Sequence, residues 1–206
     1  MSHFVGLVFS EDLSVLDKYD ENMEVDEYIA YTKKEAIARE KQDIKDSYDR
    51  VEARKKSGKE LETWEKEILE KGFDITDYDA WEKAKRWGYK VSEDGKALLS
   101  TYNPDSKWDW YSIGGRWTGY LPYKEEPNEY YDEATIKDID WKAFIDKHGA
   151  PFCFITDEGD WHQCAEMGWW GMTSNDKEEK EWNKEFKDYL ETLNEDTPII
   201  VVDFHI

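Results

Sequence analysis

His3-Phe4-Val5-Gly6-Leu7-Val8-Phe9 decides the fold class. The run is short, apolar at odd and even positions alike, and closed by Ser10-Glu11-Asp12. Alternate side chains of a strand point to opposite faces, so this pattern predicts a strand buried on both sides. Pro151-Phe152-Cys153-Phe154-Ile155-Thr156 reads as a second strand. Asp157-Glu158-Gly159-Asp160 turns it into a returning strand, Trp161-His162-Gln163-Cys164. Residues 198–206 read as the last strand.

Between these runs the periodicity changes from two to about 3.6. Thr32-Lys33-Lys34-Glu35 is a capping box: the hydroxyl accepts an orphan backbone N–H and the glutamate reaches back. Ile37, Ile44 and Val51 recur every seven residues, with Tyr48 between them, and Ser57-Gly58 interrupts before Leu61, Trp64 and Ile68 resume. Residues 33–71 therefore read as a long charged helix or helical hairpin with a thin apolar seam. Shorter helices are expected over 79–87, 136–147 and 176–193, the last with Trp182, Phe186 and Tyr189 or Leu190 inward. Residues 17–28 read as an acidic loop. The order β-α-α-β-β-α-β-β-α-β predicts one α+β domain over 1–206. Its sheet would be mostly antiparallel and ferredoxin-like in pattern, with helices on one face and 33–71 inserted.

Trp108-Asp109-Trp110-Tyr111-Ser112-Ile113-Gly114-Gly115-Arg116-Trp117 is the densest stretch of the chain. Gly114-Gly115 can supply the two positive-φ residues of a type I′ turn, which predicts a hairpin over 108–123. Ile113 would then oppose Arg116, Tyr111 oppose Thr118, and Asp109 oppose Tyr120. One face would carry Asp109, Arg116, Tyr111 and Tyr120, and the other Trp108, Trp110, Ser112, Trp117 and Leu121. Such a face suits a nucleotide: arginine grips phosphate in a fork and aromatic rings stack a base. The alternative is that Asp109 and Arg116 pair with each other. Of Trp169 and Trp170, on the glycine-flanked loop 167–172, one is expected to lid the core and the other to lid a pocket or meet a partner.

The histidines are His3, His148, His162 and His205. If the first and last strands are antiparallel neighbours, His3 faces His205, with Asp203 on the same face. Two imidazoles and a carboxylate would make a divalent transition-metal site, with His162 or Cys164 as fourth ligand. No H-E-x-x-H, phosphate-loop, dinucleotide or nucleophile-elbow motif occurs. Cys153 and Cys164 form no C-x-x-C pair and sit in apolar strands, where thiols are usually inert.

Composition narrows the function classes. Of 206 residues, 16% are aromatic, including 11 Trp, so a core can be built from few side chains and a folded chain is expected. The net charge of −21 repels nucleic acid and anionic membranes and attracts basic surfaces. Residues 1–32 hold eight acids and one base. With no basic leader and no run of ~18 apolar residues, neither secretion nor a membrane span is expected, which points to the cytoplasm.

The Trp108–Trp117 string, together with Gly159-Asp160-Trp161-His162 and Met167-Gly168-Trp169-Trp170-Gly171, resembles an uncharacterised family of phage and bacterial proteins. Tyr19-Asp20-Glu21-Asn22 extends the likeness. The resemblance implies a viral or mobile-element origin and transfers no activity. The expectation is a non-enzymatic, phage-type inhibitor that needs no cofactor. It would engage a basic host surface, such as the nucleic-acid groove of a defence protein, through carboxylates in 11–27 and 176–196. Asp20, Glu21, Glu24 and Asp26 lead that set. The alternatives are a nucleotide binder using Arg116 with Asp109, Tyr111, Tyr120, Trp108 and Trp169, or a metal-dependent enzyme using His3, Asp203 and His205.

Overall fold

The computed structural model describes residues 2–126, 131–168 and 172–206. Eleven strands are present among them: β1 (His3–Val8), β2 (Glu24–Thr32), β3 (Lys90–Val91), β4 (Ala97–Tyr102), β5 (Trp110–Ile113), β6 (Glu133–Thr135), β7 (Cys153–Ile155), β8 (Trp161–Gln163), β9 (Glu166–Met167), β10 (Thr173–Ser174) and β11 (Pro198–His205). The α-helices are α1 (Lys33–Lys56), α2 (Thr63–Lys71), α3 (Asp77–Ala84), α4 (Trp141–His148) and α5 (Glu179–Leu190). The fold is mixed α and β, with mostly antiparallel pairing. Two compact units divide it: residues 1–24 with 102–206, and residues 25–101. No described helix is long and apolar enough to cross a membrane.

The first unit is built on a sheet of order β5-β11-β1-β7-β8, with β6 also beside β11. β1 and β11 are apolar on both faces because both faces are covered. Val5, Leu7, Ile199, Val201 and Phe154 meet Phe144 of α4 and Trp182 and Phe186 of α5 on one side. Phe4, Val8, Val202 and Phe204 meet Leu16, Tyr19 and Trp108 on the other. Leu16 and Tyr19 belong to a 3-10 helix, Leu13–Tyr19, that Asp12 caps through the Ser14 N–H. β7 lies parallel to β1, and β8 is the outer strand. In a ferredoxin-like sheet the returning strand of that hairpin would sit beside the first strand. Here β7 takes that place, so the strand order departs from the ferredoxin-like one.

The second unit is a sheet of order β2-β4-β3 with three helices. The Thr32–Glu35 capping box forms, and α1 runs 24 residues before Ser57 and Gly58, the latter at φ 76°, end it. α2 follows separately, so 33–71 is two helices. Ala36, Trp81, Ala84 and Leu98 form a small core with Tyr31, Ile37 and Tyr89 packed against it. The acidic loop expected over 17–28 is instead the end of a 3-10 helix followed by β2. An edge strand tolerates acids because one flank faces water, and Glu24, Asp26 and Glu27 are exposed.

The hairpin expected over 108–123 does not form. β5 pairs with β11, not with a returning strand. Gly114 and Gly115 do have positive φ, 64° and 54°, but Gly114 has ψ −70°, about 100° from a type I′ turn. The chain winds into a 3-10 turn at Gly115–Trp117. Long-range packing accounts for the glycine pair. A Cβ on Gly114 would lie 2.1 Å from an Asp132 carboxylate oxygen, and one on Gly115 would lie 2.6 Å from the Asp203 Cβ. Gly115→Ala combines left-handed strain with overpacking and should cost roughly 2–4 kcal/mol. A thermal melt within a degree of wild type would show that these carboxylates do not crowd the loop.

Candidate functional site

The pairing of β1, β11 and β5 fixes which side chains gather. His3 opposes His205, which opposes Trp110; Val5 opposes Asp203, which opposes Ser112. Directly opposed residues share a face, so both rows lie on the side that carries α4 and α5 further along the sheet. The expected juxtaposition of His3, Asp203 and His205 is therefore present.

Its chemistry differs from a metal site. His3 Nδ1 donates to Asp203 Oδ1 at 2.9 Å, and the Arg116 backbone N–H donates to Asp203 Oδ2 at 3.0 Å. His205 Nδ1 donates to Asp109 Oδ1 at 2.5 Å. The His3 and His205 rings meet edge to face at 4.9 Å, and Trp110 stacks on His205 at 4.8 Å. The side chains of Asp203 and His205 are 3% and 4% exposed. Both carboxylate oxygens of Asp203 and both Nδ1 atoms are thus committed inside the protein. Among the described residues, no three His, Cys, Asp or Glu side chains are placed to hold a metal ion. His162, the expected fourth ligand, sits on β8, where it stacks on Phe154 and bonds Glu185 at 2.9 Å. Burial raises the Glu185 carboxyl, but Lys177 and His162 outweigh it and hold it below the usual carboxylate range. Cys164 lies just beyond β8, and burial pushes its thiol up; Cys153 is fully buried and raised further.

The cluster acts as a clasp. It ties β1, β11 and the Gly115–Trp117 turn together through one buried carboxylate. His205 Nε2 is buried without a hydrogen-bond partner among the described residues, and Trp110 covers the ring, so general acid–base work on a substrate has no access there.

The nucleotide face expected around Arg116 is not assembled. Tyr111 packs with Phe204 and Trp108 on one side of the sheet, while Tyr120 and Trp117 belong to the core on the other. Trp108 and Tyr120 are buried, and burial pushes the Tyr120 phenol up to about 12. Asp109 pairs with His205 rather than with Arg116. The Arg116 guanidinium is exposed and forms no hydrogen bond or ion pair among the described residues. Trp169 lies outside the described residues. Sequence reasoning missed the Asp109–His205 pair and the part played by Asp132, whose carboxylate accepts the Gly119 N–H at 3.0 Å. No local signal marks either, because both partners are remote in sequence.

The acidic residues divide unevenly. The first unit carries 30 acids against 11 bases, the second 19 against 17. Ion pairs run the other way: six acids of the first unit are paired among the described residues, and ten of the second. α5 and its flanks show the contrast. Glu178, Glu179, Glu181, Glu191 and Glu195 are exposed and in no ion pair among the described residues. Glu179 and Glu181 lie in the first helical turn, where the helix dipole favours negative charge. Glu11, Asp17 and Glu24 are likewise exposed and unpaired, as is Asp26 in the second unit. Asp20 and Glu21 are half-buried, and Asp20 Oδ1 accepts the Asn22 N–H at 2.8 Å.

Comparison with known proteins finds no match to a family model, a curated protein or a solved structure. Function must therefore be argued from these groups.

Removing the clasp should be costly. Asp203→Ala leaves the His3 Nδ1–H and the Arg116 N–H without an acceptor and should destabilise by roughly 3–5 kcal/mol in urea unfolding. Asp203→Asn should cost about half as much: it keeps one acceptor, and His3 can move its ring proton to Nε2. Equal and negligible losses would mean that Asp203 carries no structural role.

Proposed function

We propose that this chain is a non-enzymatic binding protein of phage type whose first unit docks on a basic surface of a host protein. The nucleic-acid groove of a defence protein is the kind of surface meant. One observation carries the reading: 19 of the 21 net negative charges fall in the first unit, and most of its carboxylates are in no ion pair among the described residues. A carboxylate paired within its own protein is neutralised locally, whereas an exposed, unpaired one adds to the long-range field. Such a field steers a basic partner and raises association rates by factors of ~10–10³, falling as salt rises. A groove built for phosphates accepts a file of carboxylates by the same electrostatics. The phage origin rests on the resemblance of the Trp108–Trp117 string.

The test neutralises the unpaired carboxylates and spares those that build turns. Glu11, Asp17, Glu24, Glu179, Glu181 and Glu191 are replaced together by Gln or Asn, while Asp12 and Asp20 stay because they cap local structure. Exposed charges add little to stability, so the melt should hardly move. Capture of host proteins should be lost, or association slowed roughly tenfold or more at low salt. Unchanged capture, insensitive to salt, would contradict the reading.

A further inference from the structure

The second unit contains a cleft of about 110 Å³ lined by Tyr31, Arg39, Glu40, Trp87 and Tyr89, with alanines and Leu98 filling the rest. We propose that it binds a compact organic cation of the quaternary or methylated ammonium class, through the rings of Tyr31, Trp87 and Tyr89. The site goes beyond the docking function above and stands on different residues.

Local structure brings the groups together. Ala36, Arg39 and Glu40 stand at i, i+3 and i+4 on α1, so they share one helical face. Tyr31 closes β2 one residue before the cap Thr32. Gly88, at φ 85°, ends a short 3-10 helix in the left-handed conformation. Trp87 and Tyr89, on either side of it, both line the same cleft.

Shape selects a compact guest. The Tyr31 and Tyr89 rings meet at 84° with centroids 5.6 Å apart, forming two walls of a corner rather than the parallel faces that stack a flat heterocycle. A cavity of about 150 Å³ takes up benzene, so one of 110 Å³ does not enclose the larger nucleobase. A tetrahedral onium head is about as bulky as benzene and would seat only part-way in the cleft, but it is shorter than a nucleobase and meets ring faces from several directions, which is the geometry of cation–π recognition.

The ring faces, rather than net charge, select a cation, because Glu40 is already offset by Lys83. Glu40 is 3% exposed. Its Oε1 accepts the Trp87 indole N–H, which fixes that ring, and its Oε2 faces Lys83 Nζ at 3.1 Å with no hydrogen bond. The rings already hold a cation of the protein's own: the Arg39 guanidinium lies 4.9 Å from the Tyr31 ring centre and donates to the Tyr31 hydroxyl. The Arg39 side chain is 55% exposed and has a second partner one turn on, Asp43 at 3.9 Å. Asp43 does not line the cleft. Arg39 can swing to it, and it then acts as a built-in competitor that an incoming cation displaces.

The full chain, labelled with ¹⁵N, is titrated with choline and with tetramethylammonium. The neutral isostere 3,3-dimethylbutanol, inorganic phosphate and adenosine are titrated in parallel. The expected result is saturable shifts at the Trp87 indole and at Tyr31 and Tyr89 with the two cations alone. Arg39→Ala, an exposed change that leaves the fold intact, should tighten choline binding roughly three- to tenfold. Trp87→Ala should abolish it. Equal binding of the isostere would reduce the cleft to an apolar hole, and shifts with phosphate or adenosine instead would reverse its charge preference. Either result overturns the proposal, as does the absence of saturable shifts in both wild type and Arg39→Ala.

Discussion

Everything in the first unit depends on the antiparallel pairing of its terminal strands. β1 and β11 meet in the register His3↔His205 through Val8↔Ile200, joining the two ends of the chain. Closing so long a loop carries an entropic cost that grows only slowly with length, but two strands alone cannot offset it. Burial on both faces does. Val5, Leu7 and Val201 lie under α4 and α5, and Phe4, Val202 and Phe204 lie under the Leu13–Tyr19 turn and Trp108. A slip of one residue would turn each set to the wrong core, so the register is strongly specified. β5 and β7 then add to the two outer flanks, and the histidine–carboxylate clasp follows from the same alignment.

These strands were legible in the sequence for the reason that makes them central. An apolar residue at every position has few meanings in a short run, and His3 facing His205 followed once the two runs were paired. The capping box at Thr32 was legible because its chemistry is local. The second unit's sheet was not: β2 carries three exposed acids, and β3 is two residues long. The Gly114-Gly115 pair misled because positive φ serves two purposes. It makes a tight hairpin, and it also lets a backbone approach bulky groups without a Cβ. The carboxylates that required the second use, Asp132 and Asp203, are invisible to any local window. With the hairpin gone, the binding face around Arg116 dissolved, while the carboxylate excess survived because it depends on composition and exposure rather than on one turn.

The two units solve different electrostatic problems. The second neutralises its charges internally, through i,i+4 pairs on α1 and through buried Glu40 and Glu65, which meet Lys83 and Arg54. Among the described residues, the first leaves most of its carboxylates out of ion pairs and buries one, Asp203. Asp203 illustrates that economy: one carboxylate holds an imidazole and a loop N–H at once. Self-repulsion among the free carboxylates destabilises the compact state, which makes the doubly covered sheet and its clasp the features that keep this unit folded.

The first unit is organised by the register of β1 against β11, and that register can be read directly. Ser2 and Ile206 exchange both backbone hydrogen bonds, so His3/His205, Val5/Asp203 and Leu7/Val201 are the non-hydrogen-bonded pairs, whose Cα atoms approach to about 4.5 Å. A nuclear Overhauser spectrum in D₂O should contain strong Hα–Hα cross-peaks between the members of these three pairs. Cross-peaks linking Phe4 to His205 or Gly6 to Asp203 instead would place the strands one residue out of register. The clasp, the two cores and the packing of the Gly114-Gly115 loop would fall with it.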